Sequence, residues 1–315
     1  MTCALRWVSC VIIVACAART AAAADVASAA ATSQPRFITS GSGFVDYWPV
    51  FSPDGKNVLF SRSSDGGRTW DLWIVSADGG EPAHRFARAP VSVSATRANW
   101  SSKRPLIAFT GQSGAKASVW IISADGTDPH ELPSTELYGA FYPSWYPDGA
   151  HIAVMDGAQL NIKLIDLARD HAETLTDRNR FLTGMPAVSP DGKSIAFAGQ
   201  PNAGQPYDQT KNTLWLLELS SGEIHSLEAT HGQGRAPSWS PDGTQLAFES
   251  DRANRDGRHL YAAFTIGRDG GGLRQVTEPA FNVNHPVWSP DGKRLVVSAI
   301  SLANAPRIAV VELAR

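Results

Sequence analysis

The chain has 315 residues, of which 43% are hydrophobic and 18% are charged, a balance typical of a folded globular protein. Its formal net charge of −2 creates neither the basic field that attracts nucleic acid nor a strongly acidic field. We therefore expect no nucleic-acid partner, and the length allows one large domain or two small ones.

The first residues have the features of an export signal. Arg6 supplies a positive charge, and residues 8–18 form an apolar run of signal-peptide length, too short to span a bilayer. Two processing routes are open. Ala22-Ala23-Ala24 is a site for ordinary cleavage, whereas Ile13-Val14-Ala15-Cys16 resembles a bacterial lipobox, in which Cys16 would carry a lipid.

All three cysteines lie in this leader segment, at positions 3, 10 and 16. After ordinary cleavage the mature chain would contain no disulfide, no zinc–thiolate site and no cysteine nucleophile. The predicted division is a signal peptide over 1–24, a short linker over 25–35 and a single domain over 36–315.

One four-residue turn recurs through the rest of the chain. Ser-Pro-Asp-Gly is found four times, once more with Tyr in place of Ser, and a sixth position keeps the place without Asp-Gly. The six segments are Ser52–Gly55, Ser101–Arg104, Tyr146–Gly149, Ser189–Gly192, Ser240–Gly243 and Ser289–Gly292. Their spacing of roughly 40–50 residues is the period typical of propeller blades.

Each turn lies between short apolar runs of β type. In the first unit Phe51 precedes the turn, Val58-Leu59-Phe60 follows it, and Leu72–Val75 forms a third run that ends at Asp78-Gly79. Proline presets φ for such a hairpin turn, and glycine accepts the positive φ. Because no helical period interrupts the runs, we predict an all-β fold, a six-bladed β-propeller of four-stranded antiparallel blades.

The two ends of the domain predict how the ring closes. The last unit reaches only its third strand, at Val311-Glu312-Leu313. The segment Arg36-Phe37-Ile38-Thr39, ahead of the first unit, is similar to Leu273–Thr277, an outer strand elsewhere in the chain. We therefore predict that the N-terminal strand completes the last blade and removes an open sheet edge.

The repeat P-x-W-S-P-D-G-x-x-(I/L)-A-F resembles the TolB-type, WD40-like propeller repeat, and Pro237–Phe248 and Pro286–Val297 match it best. The resemblance covers about residues 36–315 and implies the fold but no single function, since similar repeats serve in TolB, in peptidase propellers and in periplasmic proteins. TolB carries an α/β domain before its propeller, where this chain has only residues 25–35. Peptidases with such propellers append a hydrolase domain, whose nucleophilic serine lies in a G-x-S-x-G elbow. The segment Gly111-Gln112-Ser113-Gly114 does not form such an elbow.

Loops between blades lead into the innermost strands, so they should surround one mouth of the central channel, where binding residues are usual. Arginine beside aromatic and amide side chains could bind a carboxylate, a saccharide or a peptide end. Alternatively, these residues pair with one another and line a water-filled channel. The candidate binding residues are Asp46, Tyr47, Arg97, Asn99, Tyr142, Arg180, Arg235, Asn282 and His285.

Two long loops belong to the same face, Gln200–Thr213 and the charged segment Asp251–Arg258. They form either a partner-binding rim or solvated hairpin extensions, which cost little free energy. The sequence has no D-x-D-x-D-G calcium loop and no H-E-x-x-H zinc pair, so we expect no metal and no cofactor.

No catalytic constellation is recognisable, so the leading hypothesis is an exported, non-enzymatic binding or scaffold protein of the bacterial envelope. Its partner would be an envelope protein or a small polar ligand, a saccharide or a peptide, bound at the channel mouth. We expect a monomer without a transmembrane span, periplasmic, anchored through Cys16 or secreted. The alternative is a lyase or hydrolase of a saccharide or peptide, with Asp46, His285 and an arginine as its acid–base set. A third hypothesis is a TolB-like module that works with a separate partner protein.

Overall fold

The computed structural model describes residues 32–87, 93–132, 137, 139–169, 171–253, 260–300 and 305–314. The predicted signal peptide, its cysteines, most of the linker and residues 254–258 of the charged loop lie outside these ranges. Within them, no helix is both long and apolar enough to cross a membrane.

The described chain forms a six-bladed β-propeller, in which each blade is a four-stranded antiparallel sheet. Blade 1 consists of β2 Val45–Phe51, β3 Asn57–Ser63, β4 Asp71–Ser76 and β5 His84–Ala87. Blade 2 consists of β6 Ser94–Trp100, β7 Leu106–Ser113, β8 Lys116–Ser123 and β9 His130–Glu131. Blade 3 consists of β10 Ala140–Trp145, β11 His151–Asp156, β12 Asn161–Asp166 and β13 His171–Thr174.

Blade 4 consists of β14 Phe181–Val188, β15 Ser194–Pro201, β16 Thr213–Glu218 and β17 Glu223–Ser226. Blade 5 consists of β18 Arg235–Trp239, β19 Gln245–Ser250, β20 Ala262–Gly267 and β21 Arg274–Gln275. Blade 6 consists of β22 Asn284–Trp288, β23 Arg294–Ala299 and β24 Arg307–Glu312, together with β1 Arg36–Phe37. Single turns of 3₁₀ helix occupy Gln209–Lys211, Glu228–Thr230 and Pro279–Phe281.

The middle strands of each blade are covered on both faces, because every blade packs between two neighbours. This explains their continuously apolar sequence, since strands buried on one face only would alternate. Between blades 4 and 5, for example, Leu214 and Leu216 pack with Phe248 and Phe264, all at most 1% exposed. Each such side chain contributes about 1.5–3 kcal/mol relative to exposure.

The Ser-Pro-Asp-Gly turns are stabilised by their own side chains. In blade 1 the Ser52 hydroxyl donates to Asp54 Oδ1 at 2.6 Å, and the Lys56 amide donates to the same oxygen at 3.1 Å. The amide of Gly55 donates to the Ser52 carbonyl at 2.8 Å. The hydrogen bond from Ser52 is the main cause of the lowered pKa of Asp54. The repeated aspartates therefore accept hydrogen bonds within their own turns.

The turns also contact one another around the axis. Pro290 of blade 6 packs at the glycine of the blade 1 turn, and Pro147 of blade 3 packs at Gly192 of blade 4. A Cβ on Gly192 would lie only 2.9 Å from Pro147 Cγ. The repeated proline and glycine thus fit the turns together at one end of the channel, which we call the turn end.

The N-terminal strand completes the last blade, as predicted. β1 pairs antiparallel with β24, with Arg36 opposite Val310 and Phe37 opposite Ala309. Beyond it, the Ile308 amide donates to the Thr39 hydroxyl at 3.0 Å. Blade 5 uses the same contact, from Ala263 to Thr277, at 2.9 Å. The shared sequence of the two segments therefore encodes the same structure, and the ring has no open edge at this point.

Candidate binding site in the central channel

All six innermost strands have a bulge at the same place. In blade 1 the pairing of β2 with β3 shifts between Tyr47 and Val50, and the corresponding shift occurs in every other blade. The residue at each bulge has a positive φ, which is uncommon for residues other than glycine. These residues are Trp48 (53°), Arg97 (54°), Tyr142 (56°), Met185 (54°), Ala236 (48°) and His285 (52°).

A proline explains why the bulge is tolerated. In five blades the bulge residue is followed by proline, and in blade 2 by Ala98. Proline lacks an N–H and is confined in sheets to edge strands and bulges. The innermost strand is the edge of its blade that faces the channel, so no ladder hydrogen bond is lost there. A bulge re-aims side chains, and here the six bulge residues all line the channel. We call them the throat ring.

The throat ring opens into a cavity of about 470 Å³ along the axis. The cavity extends as far as the turn end, where Pro147, Pro190 and Pro241 line it. Its volume lies within the range of small-molecule sites. The channel is therefore a binding-sized space with a chemically varied throat and a proline-lined base.

The throat ring is uneven around the axis. Blades 6, 1, 2 and 3 contribute His285, Trp48, Arg97 and Tyr142, whereas blades 4 and 5 contribute Met185 and Ala236. In a ring of six blades, blade 2 lies opposite blade 5. Arg97 thus faces the smallest member of the ring across the axis, which leaves free space beside its charge.

Arg97 is held by aromatic rings and not by a carboxylate. Its Cζ lies 4.4 Å from the centre of the Trp48 ring and 4.5 Å from that of Tyr142. Its Nη1 donates to the Thr96 hydroxyl at 3.1 Å, and its buried Nε has no hydrogen-bond partner. In the described part of the chain, no carboxylate forms an ion pair with this guanidinium.

His285 is neutral at neutral pH. Burial lowers its pKa to about 4, helped by the charges of Arg97 and Arg235 and opposed by Glu249. Trp48 Nε1 donates to His285 Nε2 at 3.1 Å, so the ring proton is on Nδ1, which is buried without a partner. The tautomer follows from this hydrogen bond.

A buried carboxylate stands behind the ring. Glu249 is fully buried, and its Oε1 lies 3.3 Å from Nε of Arg235. Its Oε2 accepts from the backbone N–H of His285 at 2.8 Å, while Arg235 Nη1 donates to the Tyr261 hydroxyl at 2.8 Å. The matching positions of the other blades carry no charge; they are Ser61, Thr110, Met155, Ala198 and Ser298.

Four of the predicted site residues line the cavity, namely Arg97, Asn99, Tyr142 and His285. Tyr47 adjoins it, with its ring centre 5.5 Å from that of Trp48. Their contact with a ligand stays a prediction.

Other predicted site residues belong to the surrounding wall or loops. Asp46 is fully buried, where it accepts from Arg62 at 2.7 Å and from Thr39 at 2.7 Å, so its carboxylate is not at the throat. Arg235 pairs with Glu249 as described. Arg180 is exposed in the turn that precedes β14. Asn282 caps a 3₁₀ helix, and its Oδ1 accepts from the Tyr261 amide at 2.8 Å.

Sequence reasoning did not single out Trp48, Met185, Ala236 or Glu249. A signal existed for the first three, because each precedes the proline that recurs ahead of the blade turn. Glu249 carried no local signal. Glu249 contacts the backbone N–H of His285 and not its imidazole. The predicted acid–base set of Asp46 and His285 is not brought together, because Asp46 is already occupied by Arg62 and Thr39.

The loop Gln200–Thr213 folds back towards the channel. Its Tyr207 is half-buried and accepts from Asn212 Nδ2 at 2.9 Å. Burial is the main cause of its raised pKa, and Tyr142 and Arg235 also act on it. The loop therefore brings one aromatic residue close to the throat. Among the described residues, no three His, Cys, Asp or Glu side chains form a group that could hold a metal ion.

Comparison with known proteins gives a family match along nearly the whole domain. The family model described as the TolB beta propeller domain matches residues 19–207 and 182–314. Among solved structures, a putative TolB from Agrobacterium tumefaciens superposes with a TM-score of 0.63 at 19% identity, covering 86% of this chain and 91% of that one. At this identity the likeness shows the fold alone.

Curated relatives are similar over parts of their length. The uncharacterized peptidase YuxL of Bacillus subtilis is 37% identical over 125 residues, which are 39% of this chain and 18% of that protein. The Tol-Pal system protein TolB of Francisella tularensis is 26% identical over 219 residues, which are 67% of this chain and 47% of that protein. The matches thus span less than half the length of these relatives.

Proposed function

The chain belongs to the TolB β-propeller domain family, and from this premise we propose that it is a non-enzymatic binding or scaffold protein of the bacterial envelope. Its ligand or protein partner binds at the channel mouth, against the throat ring. The observation that carries the proposal is that one repeated backbone position bears six different side chains, including an arginine without an acidic partner. Strained backbone that presents varied side chains is typical of functional sites.

Export and a role in the envelope are parts of the same proposal. The features of residues 1–24 support export, and the relative named as a Tol-Pal system protein supports a role within a protein assembly. We propose that the protein is a monomer, since its propeller closes on itself through β1 and β24.

An enzyme remains the second candidate, a lyase or hydrolase acting on a saccharide or peptide. The position of His285 in the cavity wall and the similarity to a protein named as a peptidase favour it. However, a pKa of about 4 makes His285 a weak base at neutral pH, whereas an efficient general base has a pKa near the working pH. The binding function is therefore supported better.

The test is an affinity capture from envelope extract. We would compare the wild type with Arg97→Ala/Met185→Ala, which alters the throat without touching the Arg235–Glu249 pair. The matched control is Arg85→Ala/Arg169→Ala, two exposed arginines that do not line the cavity. We expect a partner that is lost only with the throat variant.

A partner retained by the throat variant, or no partner at all, would contradict the proposed site. Incubation of the wild type with saccharides and peptides tests the enzyme directly. Product formation that His285→Gln abolishes would establish catalysis in place of simple binding.

A further inference from the structure

We propose that the throat ring binds the C-terminal carboxylate of a peptide whose last side chain is apolar, with Arg97 as the anion anchor. This inference rests on the proposed function, because it names the ligand chemistry of the same channel mouth.

The throat has hydrogen-bond donors that lack acceptors. Nε of Arg97 and Nδ1 of His285 are both buried without a partner among the described residues, and both carry a proton. A buried polar group left unpaired costs about 1–3 kcal/mol. These two atoms are closed to solvent, so a ligand in the cavity meets the other N–H groups of the half-buried Arg97 guanidinium. A carboxylate matches them, because it is an acceptor with two oxygens and no proton.

The charges of the throat favour a single negative charge. Arg235 and Glu249 neutralise each other, and His285 is neutral at neutral pH. Arg97 remains as one unbalanced positive charge. A carboxylate supplies one negative charge, whereas a phosphate monoester supplies about 1.5–2. The throat ring therefore matches a carboxylate in charge as well as in hydrogen bonding.

The geometry of Arg97 agrees with a planar ligand group. The rings of Trp48 and Tyr142 lie within cation–π distance, the arrangement in which rings cover the faces of a guanidinium. A ligand can then reach the N–H edge, where arginine forms paired hydrogen bonds to a carboxylate.

The far side of the throat is apolar. Met185 and Ala236 stand across the axis from Trp48 and Arg97, above a base lined by prolines. The cavity wall also includes three serines that already serve the protein: the hydroxyls of Ser144 and Ser238 accept from backbone amides, and that of Ser189 donates to Asp191. A saccharide would find polar partners mainly on the side of Arg97, Asn99 and Tyr142 and few beside Met185 and Ala236. An apolar side chain beside a carboxylate fits both halves of the ring.

A chain end fits this space better than an internal segment. The cavity of about 470 Å³ holds a few residues, and neighbouring turns pack against one another at its base. A peptide that enters from the mouth can place its terminus in the throat while the rest of it meets Tyr207 and the loops of the same face.

The first test uses two ligands and the unaltered full-length protein. Calorimetry would compare N-acetyl-Gly-Leu-Leu with a free carboxylate and the same peptide with a C-terminal amide. We expect the acid to bind and the amide to bind more weakly by about tenfold or more, the range for a hydrogen bond to a charged group. Equal affinity, or no binding of the acid at millimolar concentration, would overturn the proposal.

The second test uses matched variants. Arg97→Gln should lose about tenfold in affinity for the acid and nothing for the amide, so that the two ligands become alike. Arg169→Gln, which removes an exposed arginine of the turn between β12 and β13, should retain the wild-type preference. Ala236→Met should weaken both ligands by filling the space opposite Arg97. Thermal melts would confirm that each variant is folded, and a preference for the acid that survives Arg97→Gln would place the anion elsewhere.

Two further arms separate this inference from the proposed function. Galacturonic acid has the carboxylate with a polar body, and octanoic acid has it with an apolar body and no peptide. If galacturonic acid binds and the peptide does not, the anchor is right and the ligand class is wrong, which overturns the inference. If a protein partner depends on the throat while no carboxylate binds, the proposed function survives and the inference fails. If the peptide binds but no protein partner depends on the throat, the inference survives and the proposed scaffold role fails.

Discussion

The two ends of the central channel are built from the same repeat in opposite ways. At the turn end, Ser, Pro, Asp and Gly recur with the same hydrogen bonds, as at Asp54 and Asp191. At the throat the backbone recurs, with six positive φ values between 48° and 56°, but the side chains differ completely. Repeated side chains indicate a structural task, and a repeated backbone with changing side chains indicates a surface free to acquire a function.

The largest expected effect tests the wall behind the throat. Asp46→Ala would leave the buried Arg62 without its partner, so we expect a loss of about 3–5 kcal/mol in the free energy of unfolding. Asp71→Ala removes an exposed ion pair with Arg85 and should cost less than about 1 kcal/mol. Urea denaturation of both variants is the measurement. Similar small losses would show that Asp46 is not part of the structural wall.

The next effect concerns the fit of the turn end. Gly192→Ala and Gly243→Ala share a φ near 70°, but only at Gly192 would the new Cβ approach a proline closely, at 2.9 Å against 3.7 Å. The positive φ costs about 1–2 kcal/mol for alanine, and the overlap adds about 1 kcal/mol. We expect Gly192→Ala to lower the free energy of unfolding by about 2–3 kcal/mol and Gly243→Ala by about 1–2 kcal/mol. Equal losses would mean that contact between turns contributes nothing.

The pH dependence of stability tests the throat. The pKa of His285 falls from 6.5 to about 4 on folding, so the unfolded chain binds a proton that the folded protein excludes between these values. The contribution of the neutral imidazole is complete above pH 6.5 and is lost as the pH falls towards 4. We expect a loss of about 3 kcal/mol over this window.

The control for that experiment is His285→Asn, whose side chain cannot titrate. In this variant the free energy of unfolding should change little between pH 6.5 and 4. Glu249, Arg97 and Arg235 are the charged groups that act on the imidazole. Carboxylates such as Asp208, whose pKa is lowered to about 2 by its hydrogen bonds to Thr210, titrate below the window. An unchanged slope in the variant would assign the pH dependence to another group.

The smallest effect isolates the throat backbone. Ala236→Gly relieves a φ of 48° and should stabilise the protein slightly, by about 0.5 kcal/mol. Ala187→Gly, in a neighbouring innermost strand without a positive φ, should destabilise it by about 0.5–1 kcal/mol. Opposite signs in thermal melts would confirm that the bulge is strained, and a loss in both variants would contradict it.

The fold was predictable because its information is local and repeated. Pro-Asp-Gly specifies a turn wherever it occurs, and the similarity between Arg36–Thr39 and Leu273–Thr277 was enough to predict the closing strand. The site was predictable only in part. The bulge after Tyr47 interrupts the alternation of β2, so that Trp48 lines the channel while Asp46 lies in the wall. Glu249 meets His285 of the next blade, a contact set by the ring and not by any short pattern.

The closing strand has a consequence for the timing of folding. β1 must pair with β24, yet the ribosome makes Arg36 long before Val310. At about 5–20 residues per second, the interval is on the order of 15–50 seconds. During that time five blades can form from contiguous sequence, while the sixth waits for its last strand to reach the first. Until β24 is available, β1 has no partner strand and the other five blades cannot close into a ring, so closure is the last step wherever the chain folds.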